Sequence, residues 1–241
     1  MTTARTTTKT KIATPTRKHF ALHGPSREFD PRIDAARGDL ADIRLSDRIF
    51  ASHYAAAVLR RVVQQSSLVA RVGGPPLSEV LAGEPFEVLE LTQDQAWGIS
   101  PVDHAVGFVA VSALGPYDDA THIVSSLAPM ADHATVAESL AEAATPVIVG
   151  GRSRTGVDAA GLVFLSLSLA GIPAPRFLDL QAKSLGHLVG ESAPVLRGDL
   201  IFTADGVAIA TDAEHAVRAG DTKVELVVIA DLPITARRRL P

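Results

Sequence analysis

The sequence predicts an α+β fold, with a small β-barrel first and a domain of helices followed by strands after it. Three observations carry that reading. Short strand candidates separated by turns recur at about ten-residue spacing over residues 86–111. A nearly all-apolar stretch, residues 159–170, has the length of a helix buried on most sides. A run of strand candidates follows that helix instead of alternating with helices.

Taken in order, residues 1–18 hold eight threonines, the bases Arg5, Lys9, Lys11, Arg17 and Lys18, and no acid. They carry too little apolar surface to offset ordering entropy and are predicted disordered. Such a tail is either a basic arm for nucleic acid or anionic lipid, or simply solvated, and the solvated reading is preferred. Residues 19–40, with Pro25 and Pro31, read as an extended lead-in, so 1–40 is placed outside the domains. Short apolar runs at 49–51, 56–59, 62–63 and 68–72 follow. Turns are expected at Gly73-Gly74-Pro75-Pro76 and at 81–85. Residues 86–91 alternate apolar and polar, as a half-buried strand does, and 96–99 and 106–111 are two more strands. The barrel therefore takes residues 41–115.

A linker is expected over 116–134, where Pro116, Asp118, Asp119 and Pro129 fall. Residues 135–144 read as a helix with Val136, Ala137, Leu140 and Ala141 on one face, stopped by Pro146. A glycine-rich loop follows at 150–156. Asp158 caps the apolar helix, and Gly171 and Pro173 end it. Strands are expected at 199–203, 207–211, 215–218 and 224–230. The second domain spans 135–236, and Arg237, Arg238 and Arg239 fall in a basic C-terminal tail, 237–241.

Composition excludes several functions. The net charge is −4. Apart from the eight bases of the two ends, 15 basic residues face 27 acidic ones, so the body offers nucleic acid no global attraction. No apolar run reaches the length of about 18 residues that a transmembrane helix needs. No secretory signal core is visible, so residence in the cytoplasm is expected. Cysteine is absent, which excludes disulfides, cysteine-ligated zinc, iron–sulfur clusters and a cysteine nucleophile. The eight histidines show no metal-ligand spacing, so no metal and no cofactor is expected.

One constellation carries more. The chain reads Thr145-Pro146-Val147-Ile148-Val149-Gly150-Gly151-Arg152-Ser153, then Gly156-Val157-Asp158-Ala159-Ala160-Gly161-Leu162-Val163. This resembles the nucleophile motif of the NlpC/p60 family of cell-wall cysteine endopeptidases, Thr-Pro-Tyr-x-Trp-Gly-Gly-x-Ser followed by Gly-x-Asp-Cys-Ser-Gly-Leu-Val. Arg197-Gly198-Asp199-Leu200-Ile201-Phe202 resembles the family's Arg-Gly-Asp-Leu-Val-Phe strand. Residues 81–114 are similar to the bacterial SH3-like domain of one subgroup, through residues 83–90, Trp97-Gly98-Ile99-Ser100-Pro101-Val102-Asp103 and Val106-Gly107-Phe108-Val109. The resemblance covers 41–115 and 135–230. It implies an SH3-like barrel followed by a papain-like domain with a central buried helix on an antiparallel sheet.

The departures from the family pattern decide the expected activity. The cysteine position is Ala159, and the serine beside it is Ala160. The histidine position is Gly206, the third polar position falls near Arg218, and the pocket tyrosine is Val147. The resemblance therefore implies a protein that is not an enzyme. A new triad drawn from Ser166, Ser168, Asp212, Glu214 and His215 carries little weight.

Four residues remain as ligand-binding candidates: Asp103, Arg152, Arg154 and Asp158. Asp103 matches a position that in related enzymes helps recognise the substrate's free amine, although the neighbouring tyrosine is Ala105 here. Arg152 and Arg154 either hold a carboxylate or are solvated loop residues. Trp97 and Phe108 are read as barrel core before binding platform. The expected role is a pseudo-peptidase that binds a cell-wall peptide, an active paralogue or a second copy of itself. A residual or repurposed hydrolase of γ-D-glutamyl-diamino-acid peptides is the alternative.

Overall fold

β-branched and alternating segments fold the first half into strands. The computed structural model describes residues 28–117 and 131–241, so the tail over 1–18 and most of the linker lie outside the described residues. A short parallel pair comes first, β1 (Leu40–Asp42) and β2 (His53–Ala55). Then follow β3 (Val58–Val62), β4 (Ser66–Val69), β5 (Pro76–Val80), β6 (Pro85–Leu91), β7 (Gln95–Ile99), β8 (Val106–Ala110) and β9 (Leu114–Pro116). These seven form one antiparallel sheet in the order β5-β4-β8-β7-β6-β3-β9. Val62, Leu68, Val80, Phe86, Val88, Ala96 and Val109, drawn from six of its strands, share one core. Each such buried Val, Leu or Phe side chain contributes roughly 1.5–3 kcal/mol.

The sheet is covered on its second face as well. Phe86 and Val88 point into the first core, so strand alternation sends Leu89 to the opposite face, next to the bulge where the β6–β7 register shifts between Val88 and Glu90. Leu89 packs instead with Trp97, Val106 and Ala35. Ala35 belongs to the segment expected to be an extended lead-in, and there the expectation needs correction. Ala35 and Ala36 are buried, and the Val106 amide donates to the Arg32 carbonyl at 2.7 Å. The Arg37 guanidinium stacks 4.4 Å from the Trp97 ring and pairs with Asp39 and Glu90. Residues 30–37 are thus part of the first unit. Their prolines and charges hid a packing that only the far side of the sheet supplies. Trp97, 4% exposed, is core, as the sequence suggests.

The second half begins with α1 (His133–Glu142), two residues earlier than predicted. Asp132 caps it, accepting from the amides of Ala134 and Thr135 at 3.0 Å. Ala144, at φ 48°, ends the turn in the left-handed region before Pro146. The hairpin β10 (Arg152–Ser153) and β11 (Gly156–Val157) leads to α2 (Ala159–Leu169), whose Asp158 cap accepts from the Gly161 amide at 2.6 Å. A Cβ at Gly161 would overlap the Gly151 carbonyl oxygen, so only glycine lets the loop lie against the helix.

After α3 (Leu178–Ser184) come β12 (His187–Leu188), β13 (Leu200–Phe202), β14 (Val207–Ala210), β15 (His215–Ala219), β16 (Val224–Val228) and β17 (Ala236–Arg239). They make a six-stranded antiparallel sheet in the order β12-β17-β13-β14-β15-β16. Leu162, Val163 and Leu167 of α2 and Leu140 of α1 pack with Leu200, Ile209 and Val217 of that sheet.

The expected basic tail is also corrected, because β17 lies inside the sheet between β12 and β13. Each of its arginines has partners. Arg237 Nη2 donates to the carbonyls of Gly190 and Ala193 at 2.7 Å. Arg238 donates to the carbonyls of Ala182, Leu185 and Gly186 at the end of α3. Arg239 pairs with Asp199. The two halves also share packing: Phe177, just before α3, is buried in the core of the first sheet, and Arg32 lies 4.7 Å over its ring.

Candidate functional site

The first candidate lies at the N-terminus of α2. Ala159 opens that helix, Gly206 lies in the turn before β14, and Arg218 is on β15. They line one cavity of about 60 Å³, together with Thr203, Asp205 and Leu232. A Cβ built on Gly206 would lie 3.9 Å from the Ala159 Cβ and 3.6 Å from Thr203 Oγ1. The fold therefore brings together three of the five positions at which the sequence departs from the family pattern. Val147 does not line this cavity; it forms a parallel bridge to Val157.

The polar side chains in this cavity pair with neighbours. Thr203 Oγ1 donates to Asp205 Oδ1 at 3.0 Å, and Arg218 Nη2 donates to Glu225 at 3.0 Å. Ala159 and Gly206 themselves offer a methyl and a hydrogen. Neither can attack a carbonyl or accept a proton. His215 pairs with Asp212 at 3.1 Å at the start of β15, while Ser166 is fully buried within α2.

The second candidate is the junction of the two sheets, where Asp103, Arg152 and Asp158 meet. Asp103 lies in the turn between β7 and β8 and is 1% exposed. It accepts from Ser78 Oγ at 2.5 Å and from the Ala105 amide at 3.1 Å, and it pairs with Arg152 Nε at 3.0 Å. Arg152 is 3% exposed. Its Nη1 and Nη2 donate to the two oxygens of Glu84 at 2.9 and 2.5 Å, and its backbone amide donates to Glu79 Oε1 at 2.8 Å. Burial alone would lower the Arg152 pKa; the Glu84 hydrogen bonds and the charges of Asp103, Glu84 and Glu79 outweigh it and raise it.

Both readings of Arg152 are thereby corrected. It is neither solvated nor free to hold a ligand, because the opposite sheet supplies its carboxylates. Arg154, two residues on, is exposed. Asp158 has a third duty besides capping α2 and accepting from the Gly150 amide at 3.0 Å. Its two oxygens accept from Arg176 Nη1 and Nη2 at 3.0 and 2.7 Å.

Arg176 is the residue that sequence reasoning missed. It is 1% exposed, and its Nε donates to Ser78 Oγ at 3.1 Å, which ties Asp158 through Ser78 to Asp103. The local signal was slight: an arginine in a proline-rich loop, 18 residues from Asp158 and 98 from Ser78.

No protein-family model and no curated protein matches the sequence. Among solved structures, the chain is similar to NlpC2 from Trichomonas vaginalis, at 15% identity over 76% of this chain and 72% of that one, with a TM-score of 0.42. It is similar to an NlpC/P60 family protein from Bacillus cereus ATCC 10987, at 18% identity over 76% of this chain and 63% of that one, with a TM-score of 0.42. A third is a Staphylococcus aureus subsp. aureus Mu50 protein described as similar to lipoprotein, NLP/P60 family. It is 23% identical over 52% of this chain and 43% of that one, with a TM-score of 0.39.

Proposed function

We propose that this chain is a catalytically silent protein built on an SH3-like barrel and a papain-like NlpC/p60 domain, and that it acts by binding, in a regulatory or scaffolding role. One observation carries the reading. Ala159 and Gly206, the positions that the sequence resemblance assigns to nucleophile and histidine, are neighbours at the start of α2 and bring no reactive group. Losing a nucleophile or its base from a comparable triad costs about 10⁶-fold in rate. What binding and oxyanion stabilisation leave is roughly 10³–10⁴ over water, too little to turn over a peptide bond usefully.

Of the ligands considered, a protein partner is favoured over a cell-wall peptide. The carboxylate that would meet a free amine, Asp103, is buried and already paired with Arg152 and Ser78. The test is to incubate the purified chain with L-Ala-γ-D-Glu-diaminopimelate, follow the products by mass spectrometry, and titrate the same peptide calorimetrically. Intact peptide and no saturable heat are expected. Turnover would overturn the reading.

A second reading, a repurposed hydrolase, rests on Thr203 and Asp205, which share a hydrogen bond in the same cavity. It requires measurable turnover that Thr203→Ala abolishes.

A further inference from the structure

The junction between the sheets holds two guanidinium groups, Arg152 and Arg176, and four carboxylates, Glu79, Glu84, Asp103 and Asp158. Arg152, Arg176 and Asp103 are 3%, 1% and 1% exposed. Acids come from both sides: Glu79, Glu84 and Asp103 from the first sheet, Asp158 from the cap of α2. Taking charges out of water is costly and is repaid only where geometry is good and the remaining donors are satisfied. Here it is good. Arg152 forks onto Glu84 and also reaches Asp103 and the Glu79 carbonyl, at 3.0 and 2.9 Å. Arg176 forks onto Asp158 and reaches Ser78. Two parallel N–H donors meeting two carboxylate oxygens is a geometry that a planar guanidinium satisfies and an ammonium does not.

We infer that Glu84, Asp103, Asp158 and Ser78 form a guanidinium-selective pocket that the chain fills with its own Arg152 and Arg176, and that these two side chains latch the two sheets together. The acids outnumber the bases four to two, so removing either arginine deepens a negative excess that is already there, from two charges to three. A cation from outside enters only when one of the arginines is taken away. This inference stands on the junction alone and holds whether or not the Ala159 cavity is silent.

The test uses the full chain and N-ethylguanidinium as probe. Arg176→Ala leaves a space of the shape and charge that the probe supplies. Its melting temperature is expected to fall, and N-ethylguanidinium is expected to raise it saturably, by about 3–5 °C at roughly ten times Kd. Neutral N-ethylurea, of the same shape, is expected to leave the variant unchanged, and the unaltered chain is expected to gain nothing from either. Equal effects of the two probes, no effect of N-ethylguanidinium on the variant, or an equal gain in the unaltered chain would overturn the inference.

Should Arg176→Ala fail to fold, nitrogen-15 spectra of the unaltered chain decide. The Nε–H signals of Arg152 and Arg176 are expected to be resolved, slow to exchange with solvent and unmoved by N-ethylguanidinium. Fast exchange, or shifts on adding the probe, would mean that the pocket is open.

Discussion

Arg239 holds both oxygens of Asp199, at 2.6 and 2.7 Å, and Asp199 has no exposed surface. Burial alone would push the Asp199 carboxyl up. The Arg239 guanidinium and the Leu196 amide at 3.0 Å outweigh it and hold the group below the usual carboxylate range. A carboxyl depressed in the folded state stabilises fully above its unfolded value of about 4 and loses that contribution as the pH falls through the folded value. Asp199→Asn is therefore expected to cost about 2–3 kcal/mol at neutral pH. It is also expected to lose less stability than the parent as the solution is acidified. Denaturant titrations of both proteins at neutral and acid pH measure this; parallel acid profiles would count against the pair.

Removing residues 236–241 takes away β17, which pairs with both β12 and β13. It also frees the carbonyls of Ala182, Leu185 and Gly186, which Arg238 satisfies. The truncated chain is expected to lose cooperative melting, as judged by circular dichroism. A solvated tail would leave the curve where it was.

Two glycines make opposite predictions. Gly161→Ala drives a methyl into the Gly151 carbonyl and is expected to cost about 3 kcal/mol or more. At Gly206 the nearest atoms to a new Cβ lie at 3.6 and 3.9 Å, which is ordinary contact, so Gly206→Ala is expected to stay within about 1 kcal/mol of the parent. Chemical denaturation of the two single variants settles both.

The nearness of Ala159 and Gly206 can be made chemically audible. Ala159→Cys places a thiol at the first turn of α2, where the helix field favours the thiolate, so its pKa is expected below the free value of about 8.5. Adding Gly206→His is expected to lower it further and to speed alkylation at neutral pH by roughly tenfold. A pH profile of iodoacetamide labelling measures both variants. Identical profiles for the single and double variants would mean that the two positions do not communicate.

Much of this architecture is legible where the signal is local. The strand expected over 86–91 is β6, and the helix expected over 159–170 is α2, with Asp158 as its cap. Those features depend on periodicity and on a capping residue one position away. What stayed hidden depends on partners far along the chain. Arg237, Arg238 and Arg239 read as a basic tail because their acceptors lie about 40–56 residues upstream. Arg152 read as a loop residue because its carboxylates come from the other half of the chain, Glu79 from β5 and Glu84 from the turn before β6. Residues 30–37 read as a lead-in because their cover is the back of β7 and β8. At the candidate site, the order of the motifs singles out Ala159 and Gly206 in the sequence, but only the fold shows that they are neighbours and sets Arg176 against Asp158.

The position of Trp97 has an optical consequence. It is the chain's one tryptophan, and both tyrosines, Tyr54 and Tyr117, precede residue 118, so residues 131–241 carry no strong near-ultraviolet chromophore. Indole emission, perturbed by the Arg37 guanidinium stacked on the ring, reports on the first sheet alone. Far-ultraviolet dichroism reports on both halves, the three helices of the second included. Comparing the two heating curves of one unlabelled sample thus separates the melting of one half from that of the whole, and their superposition is the signature of two sheets that give way as one.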